Sequence, residues 1–431
     1  MMIAVFGALI GLGIIFQEPD AFVPLVIVGA VAIFLLAYPE WIIPGFIALT
    51  WAALPGHVFG GLPSPVEVGG LILLGYAAWR ALQDPSLAGT TLLIAFFLAV
   101  PLAVGGMLSP DGNFIPGGPL HELLFFLIAA LCVVGSANVE RVAIALTVVA
   151  LLLGIGAISS ILIGPSEIFP VTTDVATAVV PEAPRAAGPF GEPNFFALSM
   201  ASLAPLALYV VTFPGSKRYL GIASLVAIAG AIMAAGSRGA AIAMVFALVA
   251  VGISTANRAL RWAAVGVVLI ALALLPFFSA QAGSSSGRSI EGRETENKVA
   301  LAMFQAHPIT GVGPGQFSNL YRNYSRKIGD DPRPFREPHS LPLEIAAEQG
   351  LVGIIGWFTA ALVVVAYTVR RGVWGSPLGR AFMLATCTYL VGSLFLHGSQ
   401  LRLLFMLIGV ALAFGAARAK EAEERSEKGL A

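Results

Sequence analysis

Long apolar segments, separated by short stretches of Pro, Gly and charged residues, dominate this sequence from end to end. Each run holds about 15 to 24 residues, and about 20 helical residues cross a bilayer's hydrocarbon core. Of the 431 residues, 58% are hydrophobic and 11% are charged, whereas soluble domains carry about 25% charged residues. The fold class predicted from this pattern is an all-α polytopic membrane protein with about 12–14 transmembrane helices and one long extracytoplasmic loop that carries short helices.

The apolar runs predict about fourteen spans, or twelve if the first and third, which are short, do not cross. They lie near 2–16, 21–38, 41–55, 66–82, 90–108, 120–136, 140–163, 194–213, 218–235, 238–254, 259–280, 341–369, 377–396 and 400–417. The predicted organisation is an N-terminal transmembrane bundle, central helices with an outer loop, a long extracytoplasmic loop, C-terminal transmembrane helices and a charged tail, at 1–163, 164–280, 281–338, 339–417 and 418–431.

Basic residues in the short loops are concentrated on one side of the predicted spans. Those on the basic side are Arg80, Arg141, Lys217, Arg218, Arg258, Arg261, Arg370, Arg371 and Arg380. The short loops on the other side hold only Arg185, Arg238 and Arg402. Because cytoplasmic loops are enriched in Lys and Arg, both termini are predicted to be cytoplasmic and the 281–338 loop extracytoplasmic.

Polar chemistry is predicted to lie on the outer face. All five histidines fall in outer loops or at outer helix ends: His57, His121, His307, His339 and His397. No pair of them has ligand spacing, and Cys132 and Cys387 lie inside apolar segments far apart in the chain. We therefore expect no metal site, disulfide framework or cofactor. The neutral formal net charge gives no indication of a nucleic-acid partner.

The segment HSLPLEIAAEQGLVG, residues 339–353, lies where the long loop ends and an apolar helix begins. The helix is predicted to start at the histidine, with Ser340 capping its first turn and Pro342 tolerated there. The positive end of its dipole would favour a bound anion near His339. The spacing of His339, Ser340, Gly350 and Gly353 resembles the signature of the O-antigen ligase and O-antigen polymerase superfamily: His, then Asn, Ser or Gln, nine residues, Gly, two residues, Gly.

Two further stretches are similar to the same superfamily. Arg238, in GSRGA at the edge of a span, matches a Ser-Arg pair at an outer helix end. The sequence PITGVG at 308–313 resembles a Pro-x-x-Gly-x-Gly turn that follows an Arg-led helix, which places the family's loop arginine on Arg293, with Arg288 as the alternative. The neighbouring GVGPGQF is not a phosphate-binding loop, because it lacks the Lys-Ser/Thr ending.

The resemblance implies a multi-pass glycosyltransferase of the bacterial inner membrane with its active site on the extracytoplasmic face. Its donor would be an undecaprenyl-pyrophosphate-linked glycan, and its acceptor a glycolipid or another glycan. His339 would be the general base, and Arg238 and Arg293 would clamp the pyrophosphate. Arg185 and Glu344 are further candidates for substrate binding. Without an Asp-x-Asp motif, the reaction is expected to be metal-independent.

Two other functions are compatible with parts of the sequence. A polymerase of the same superfamily would use the same residues to extend a lipid-linked chain, so the sequence does not separate it from a ligase. A polysaccharide transporter or flippase would instead carry charged residues deep within its spans. The predicted span middles are nearly free of charge, which favours the glycosyltransferase.

Overall fold

The computed structural model describes residues 37–53, 64–109, 117–172, 184–255, 261–262, 265, 283–329, 338–396 and 401–428. The predicted span at 2–16, and nearly all of those at 21–38 and 259–280, lie outside the described residues. His57, His397 and loop residues 330–337 also lie outside them.

Thirteen α-helices and one two-stranded sheet account for most of this part of the chain. The helices are α1 (Ile42–Ala52), α2 (Pro65–Gln83), α3 (Pro85–Met107), α4 (Gly117–Cys132), α5 (Ser136–Leu162), α6 (Pro193–Val211), α7 (Ser216–Ala235), α8 (Arg238–Ser254), α9 (Gly283–Ala306), α10 (Phe317–Lys327), α11 (Leu341–Arg370), α12 (Pro377–Gly392) and α13 (Leu401–Glu427). Within the outer loop predicted after residue 163, β1 (Val171–Thr172) pairs antiparallel with β2 (Arg185–Ala186).

Seven helices in the described residues are long and apolar enough to cross a membrane. They are α3, α5, α6, α7, α11, α13 and α12 with its extension to Phe395. Shorter apolar helices occur at His121–Cys132 and in α8. The all-α polytopic fold class is therefore confirmed, with helix bounds within a few residues of most predicted spans.

Helix α6 lies at the centre of the bundle, where it packs against α5, α7, α8 and α12. Most of its side chains are buried because the helix is apolar on every face and rich in small residues. The buried hydroxyls of Ser199 and Ser202 donate to the carbonyls of Phe196 and Ser199, at 2.7 and 2.8 Å. These bonds satisfy the hydroxyl donors inside the helix, so serine is tolerated at these buried positions.

The start of α11 differs from the sequence prediction. The helix begins at Leu341 and not at His339, and Pro342 lies in its first turn as predicted. Ser340 occupies the N-cap position with extended backbone, but its side chain makes no capping hydrogen bond. His339 is therefore a loop residue immediately before the helix.

Helix α11 is also interrupted, which the sequence did not predict. Gly350 has φ 60° and ψ −154°, which breaks the helix there. Residues 308–313 lie against the break and pair with the backbone groups that a continuous helix would have used. The four bonds are Leu351 N–H to Pro308 O (2.8 Å), Val352 N–H to Ile309 O (3.1 Å), Val312 N–H to Ala347 O (2.9 Å) and Gly313 N–H to Glu348 O (3.0 Å).

The Glu348 side chain fixes the next part of the loop. Its two carboxylate oxygens accept from the amides of Gly315 and Phe317, at 2.8 and 2.9 Å, at the start of α10. The Ser109 hydroxyl, beyond the end of α3, donates to Val312 O at 2.9 Å. The PITGVG turn is therefore held between α3 and the break in α11.

Replacing Glu348 with glutamine should lower the stability of this junction. Glutamine offers one carbonyl acceptor in place of two carboxylate oxygens and no charge, so we expect a loss of about 1–2 kcal/mol. Thermal unfolding of the detergent-purified protein would measure it. Glu421→Gln, in the exposed end of α13, is the control, and an equal change in both variants would contradict the assigned role.

Candidate functional site

The N-terminus of α8 carries the first candidate, Arg238. Ser237 is the N-cap, and its hydroxyl accepts from the Ala240 amide at 3.4 Å. Arg238 is the first residue of the helix and is exposed. Free helix N-terminal amides and an adjacent guanidinium together favour a bound anion. The sequence prediction that Arg238 lies at a span boundary agrees with this position.

Arg185, on β2, reaches the same end of the bundle. Its Nε donates to the carbonyl of Ala235 at 2.8 Å, and its Nη2 donates to Asn194 Oδ1 at 3.0 Å. Asn194 in turn donates to Glu192, whose other oxygen caps α6 through the Phe195 amide. Two directed hydrogen bonds fix the guanidinium between the last turn of α7 and the first turn of α6, so Arg185 is not a freely solvated loop charge.

Arg293, on α9, lies close enough to Arg185 and Arg238 for their charges to act on its guanidinium. Burial lowers the pKa of its guanidinium, and the charge of Arg238 lowers it further; Arg185 acts in the same direction and Glu296 opposes it. An arginine nevertheless remains protonated at neutral pH. Among the described residues, neither Arg238 nor Arg293 has a carboxylate within ion-pair distance. Neighbouring cations without such a partner form a suitable site for a polyanion.

His339 is paired with a buried carboxylate. Its Nδ1 lies 2.7 Å from Glu296 Oε2, and the Glu296 side chain is fully buried while that of His339 is 28% exposed. If Nδ1–H donates to the carboxylate, the Nε2 lone pair remains available to accept a proton. This arrangement can serve a general base, because the carboxylate fixes the ring and stabilises the positive charge that the ring gains.

Glu296 was missed by the sequence reasoning. It lies three residues after Arg293 on α9, about one helical turn away, so the two side chains project from the same face. This spacing could have indicated a site residue, because a carboxylate on the buried side of an outer helix needs a hydrogen-bonding or charged partner. The identity of the partner required the fold, since His339 is 43 residues away in sequence.

A small hydrophobic cluster holds α9 against α11. Helix α9, which carries Arg293, runs from Gly283 to Ala306. Its buried residues Val299, Ala300 and Met303 pack with Ala347 of α11 and with side chains of the loop and α10. This packing brings Arg293 and Glu296 to the loop that carries His339.

The other two predicted site residues are Glu344 and Arg288. Glu344 lies one turn into α11 and lines a separate cavity with Glu348 and Gln349. Arg288 lies in α9, whose backbone is described there, but its side chain is outside the described residues. The structure therefore brings together Arg185, Arg238, Arg293 and His339 from the predicted set and adds Glu296.

Comparison with known proteins gives a family match for part of the chain. No curated protein matches the chain. Residues 223–358 match the family model described as O-antigen ligase, and this region contains Arg238, Arg293, Glu296 and His339. It also contains Gly350 and Gly353, the two glycines of the signature. With seven helices in the described residues that are long and apolar enough to cross a membrane, the chain is thus a multi-pass membrane protein that contains a region similar to the O-antigen ligase family.

Proposed function

We propose that this protein is a ligase-type glycosyltransferase, which moves a glycan from an undecaprenyl-pyrophosphate donor to a saccharide acceptor. The observation that carries this proposal is the meeting of three arginines with a carboxylate-paired histidine. The arginines suit the pyrophosphate, and the histidine suits deprotonation of a hydroxyl group. The reaction is proposed to take place on the extracytoplasmic face of the inner membrane, as the distribution of basic residues predicts.

In the proposed reaction, an acceptor hydroxyl attacks the anomeric carbon of the donor sugar. Its proton passes to Nε2 of His339 as the new glycosidic bond forms and the bond from the anomeric carbon to the phosphate oxygen breaks. The bonding electrons leave with the undecaprenyl pyrophosphate, and the anomeric configuration inverts. Arg238 and Arg293 neutralise the charge that develops on the leaving group, which lowers the barrier. Arg185 adds charge from its fixed position beside the α8 N-terminus.

The transfer assay uses purified protein, an undecaprenyl-pyrophosphate oligosaccharide and a panel of acceptors, with EDTA present. Transfer by the wild type that is lost in His339→Ala and Arg293→Ala, with both variants folded, would support the proposal. The acceptor consumed would separate a ligase, which uses a core glycolipid, from a polymerase, which uses another lipid-linked glycan. Movement of lipid-linked glycan across proteoliposomes without transfer to any acceptor would instead favour a transporter.

The three arginines should differ in their contributions. We expect Arg293→Ala and Arg238→Ala to lower kcat by about 10²-fold each, because each removes a cation from the charge developing in the transition state. Arg185→Ala should cost about 10-fold, since Arg185 is partly engaged with Ala235 and Asn194. Initial rates would measure these effects.

The matched control is Arg322→Ala, because Arg322 is exposed on α10 and outside the cluster. It should leave kcat within about twofold, as surface changes usually do. A loss at Arg322 as large as that at Arg293 would contradict a specific pyrophosphate clamp and would indicate a general effect of positive charge.

Replacing Glu296 with glutamine should reduce the rate of glycan transfer while the side chain keeps almost the same shape. The amide keeps the volume but removes the negative charge that stabilises the protonated ring, so we expect kcat to fall by about 10-fold. The KM for the donor should stay unchanged, since the arginines are intact. Glu294→Gln, an exposed change on the same helix, is the control. A donor KM that rises with no fall in kcat would contradict this role.

A further inference from the structure

A cavity lies beside α11, between that helix, α3 and α13. Its empty volume of about 440 Å³ includes space that is open to solvent. Its lining on α11 extends from Leu341, two residues after His339, to Trp357 beyond the break at Gly350. The cavity therefore starts next to the proposed base in sequence and runs along one face of α11.

Gly353 leaves room for a polar side chain on this face. Ile345, Gln349 and Trp357 line the cavity, and Gly353 lies against Ile345 and Gln349 across the break in α11. A Cβ at Gly353 would lie 2.3 Å from Gln349 Cβ and 3.1 Å from Gln349 Oε1. The second glycine of the signature is thus needed for the Gln349 side chain to lie along the helix at the cavity.

Gln349 is an unsatisfied polar group in this cavity. The residue is only 7% exposed, and its Oε1 is buried without a hydrogen-bond partner among the described residues. A buried acceptor without a donor costs free energy unless a ligand or water supplies one. The missing donor matches a hydroxyl or amide N–H group.

Charge in the lining argues against an anion. Glu344 and Glu348 line the same cavity as Gln349, and carboxylates repel phosphate groups. The arginines that suit phosphate belong to the other cluster, on β2, α8 and α9. A ligand rich in neutral hydroxyl groups fits this cavity, because hydroxyls can donate to carboxylate and amide oxygens.

The aromatic lining also suits a sugar. Trp357 and Phe405 form a stacked pair across α11 and α13, with ring centroids 5.9 Å apart and an interplanar angle of 27°. Aromatic side chains offer flat apolar surface for the C–H groups of a sugar ring, while nearby polar groups bind its hydroxyls. Leu98 and Leu102 of α3 complete the apolar side.

We propose that this cavity is the subsite for the acceptor sugar, with Gln349 hydrogen-bonding one of its hydroxyl groups. The proposal rests on the glycosyltransferase function proposed above and assigns the acceptor sugar to a cavity whose lining includes none of the three arginines. The negatively charged pyrophosphate of the donor would bind at the arginines and the neutral sugar of the acceptor in the cavity, with His339 just before the helix that borders the cavity.

The test is Gln349→Leu, which keeps the size of the side chain and removes its polar atoms. Rates are measured against acceptor concentration at saturating donor, and against donor concentration at saturating acceptor. We expect the acceptor KM to rise by about 10-fold, as for loss of one hydrogen bond to a buried group, with the donor KM unchanged. Gln305→Leu, the same change at an exposed position on α9, should alter neither value.

Two acceptors distinguish the sources of the sugar: a core glycolipid and an undecaprenyl-pyrophosphate-linked repeat unit. A raised KM for either one supports the subsite and identifies the acceptor that it serves. Thermal unfolding monitors the fold, and Gln349→Asn, which retracts the amide by one methylene, replaces the leucine variant if that variant does not fold.

An unchanged acceptor KM in a folded variant would overturn the subsite while leaving the glycosyltransferase proposal intact, and would indicate that the cavity holds only water. A change in the donor KM alone would also overturn it, because the cavity would then serve the lipid-linked donor. Failure of the wild type to transfer glycan to any acceptor would overturn the proposed function, and the acceptor subsite with it.

Discussion

Replacing His339 with alanine should lower the rate of glycan transfer by about 10²- to 10⁴-fold, the usual contribution of a positioned general base. The expectation rests on one contact, Nδ1 of His339 at 2.7 Å from the buried carboxylate of Glu296. Alanine removes the proton acceptor but leaves Arg238 and Arg293 in place. We therefore expect donor binding to persist while kcat falls.

A double variant makes this test sharper. If Glu296 acts only through His339, then Glu296→Gln should cost little in a His339→Ala background, because the effects of groups that act as a unit are not additive. His307→Ala is the control, since His307 follows the far end of α9. Additive losses in the double variant, or undiminished transfer in His339→Ala, would remove the histidine from the mechanism.

Replacing Gly350 with alanine should destabilise the protein and abolish transfer together. At φ 60° and ψ −154°, the backbone conformation is essentially restricted to glycine and costs other residues about 1–3 kcal/mol. A Cβ there would also lie 2.5 Å from the backbone carbonyl of Ile309, and backbone atoms cannot move aside as a flexible side chain can. Alanine would favour a continuous α11, which would displace residues 308–313.

The loss of transfer would follow from the loss of this junction. Residues 308–313 follow α9, which carries Arg293 and Glu296, so their displacement would separate both groups from His339. Thermal unfolding and transfer rates measure the two effects. Gly75→Ala on α2 is the control, because nothing lies within 4 Å of a Cβ there and alanine should stabilise the helix by about 0.5–1 kcal/mol. Normal unfolding and activity in Gly350→Ala would contradict a requirement for the break.

The break also explains how α11 can serve two purposes. The 20 residues from 351 to 370 extend about 30 Å at 1.5 Å per residue, enough to cross the hydrocarbon core without help. The segment before Gly350 carries Glu344, Glu348 and Gln349, polar groups that would be costly in contact with lipid. The segment that is long enough to cross therefore follows the break, and the polar groups precede it.

The sequence determined the membrane class and most span positions, and it supplied the separate residues proposed for the site. Hydrophobicity is a local property that can be read along the chain. A long apolar segment in lipid must form a helix, because only there do its backbone N–H and C=O groups hydrogen-bond within the segment. Arg238 and His339 could likewise be recognised by their positions at helix ends and by the spacing to Gly350 and Gly353.

Only the tertiary structure decided which polar groups meet. The pairing of Glu296 with His339 depends on the packing of α9 against α11, and the break at Gly350 depends on four backbone hydrogen bonds from a loop that precedes the helix. Arg185 became a fixed member of the cluster through the carbonyl of Ala235, 50 residues away in sequence. Such contacts leave no local pattern in the sequence, because a glutamate, histidine or arginine can occur in many environments. Its partner is decided only when the chain folds and buries the two side chains together.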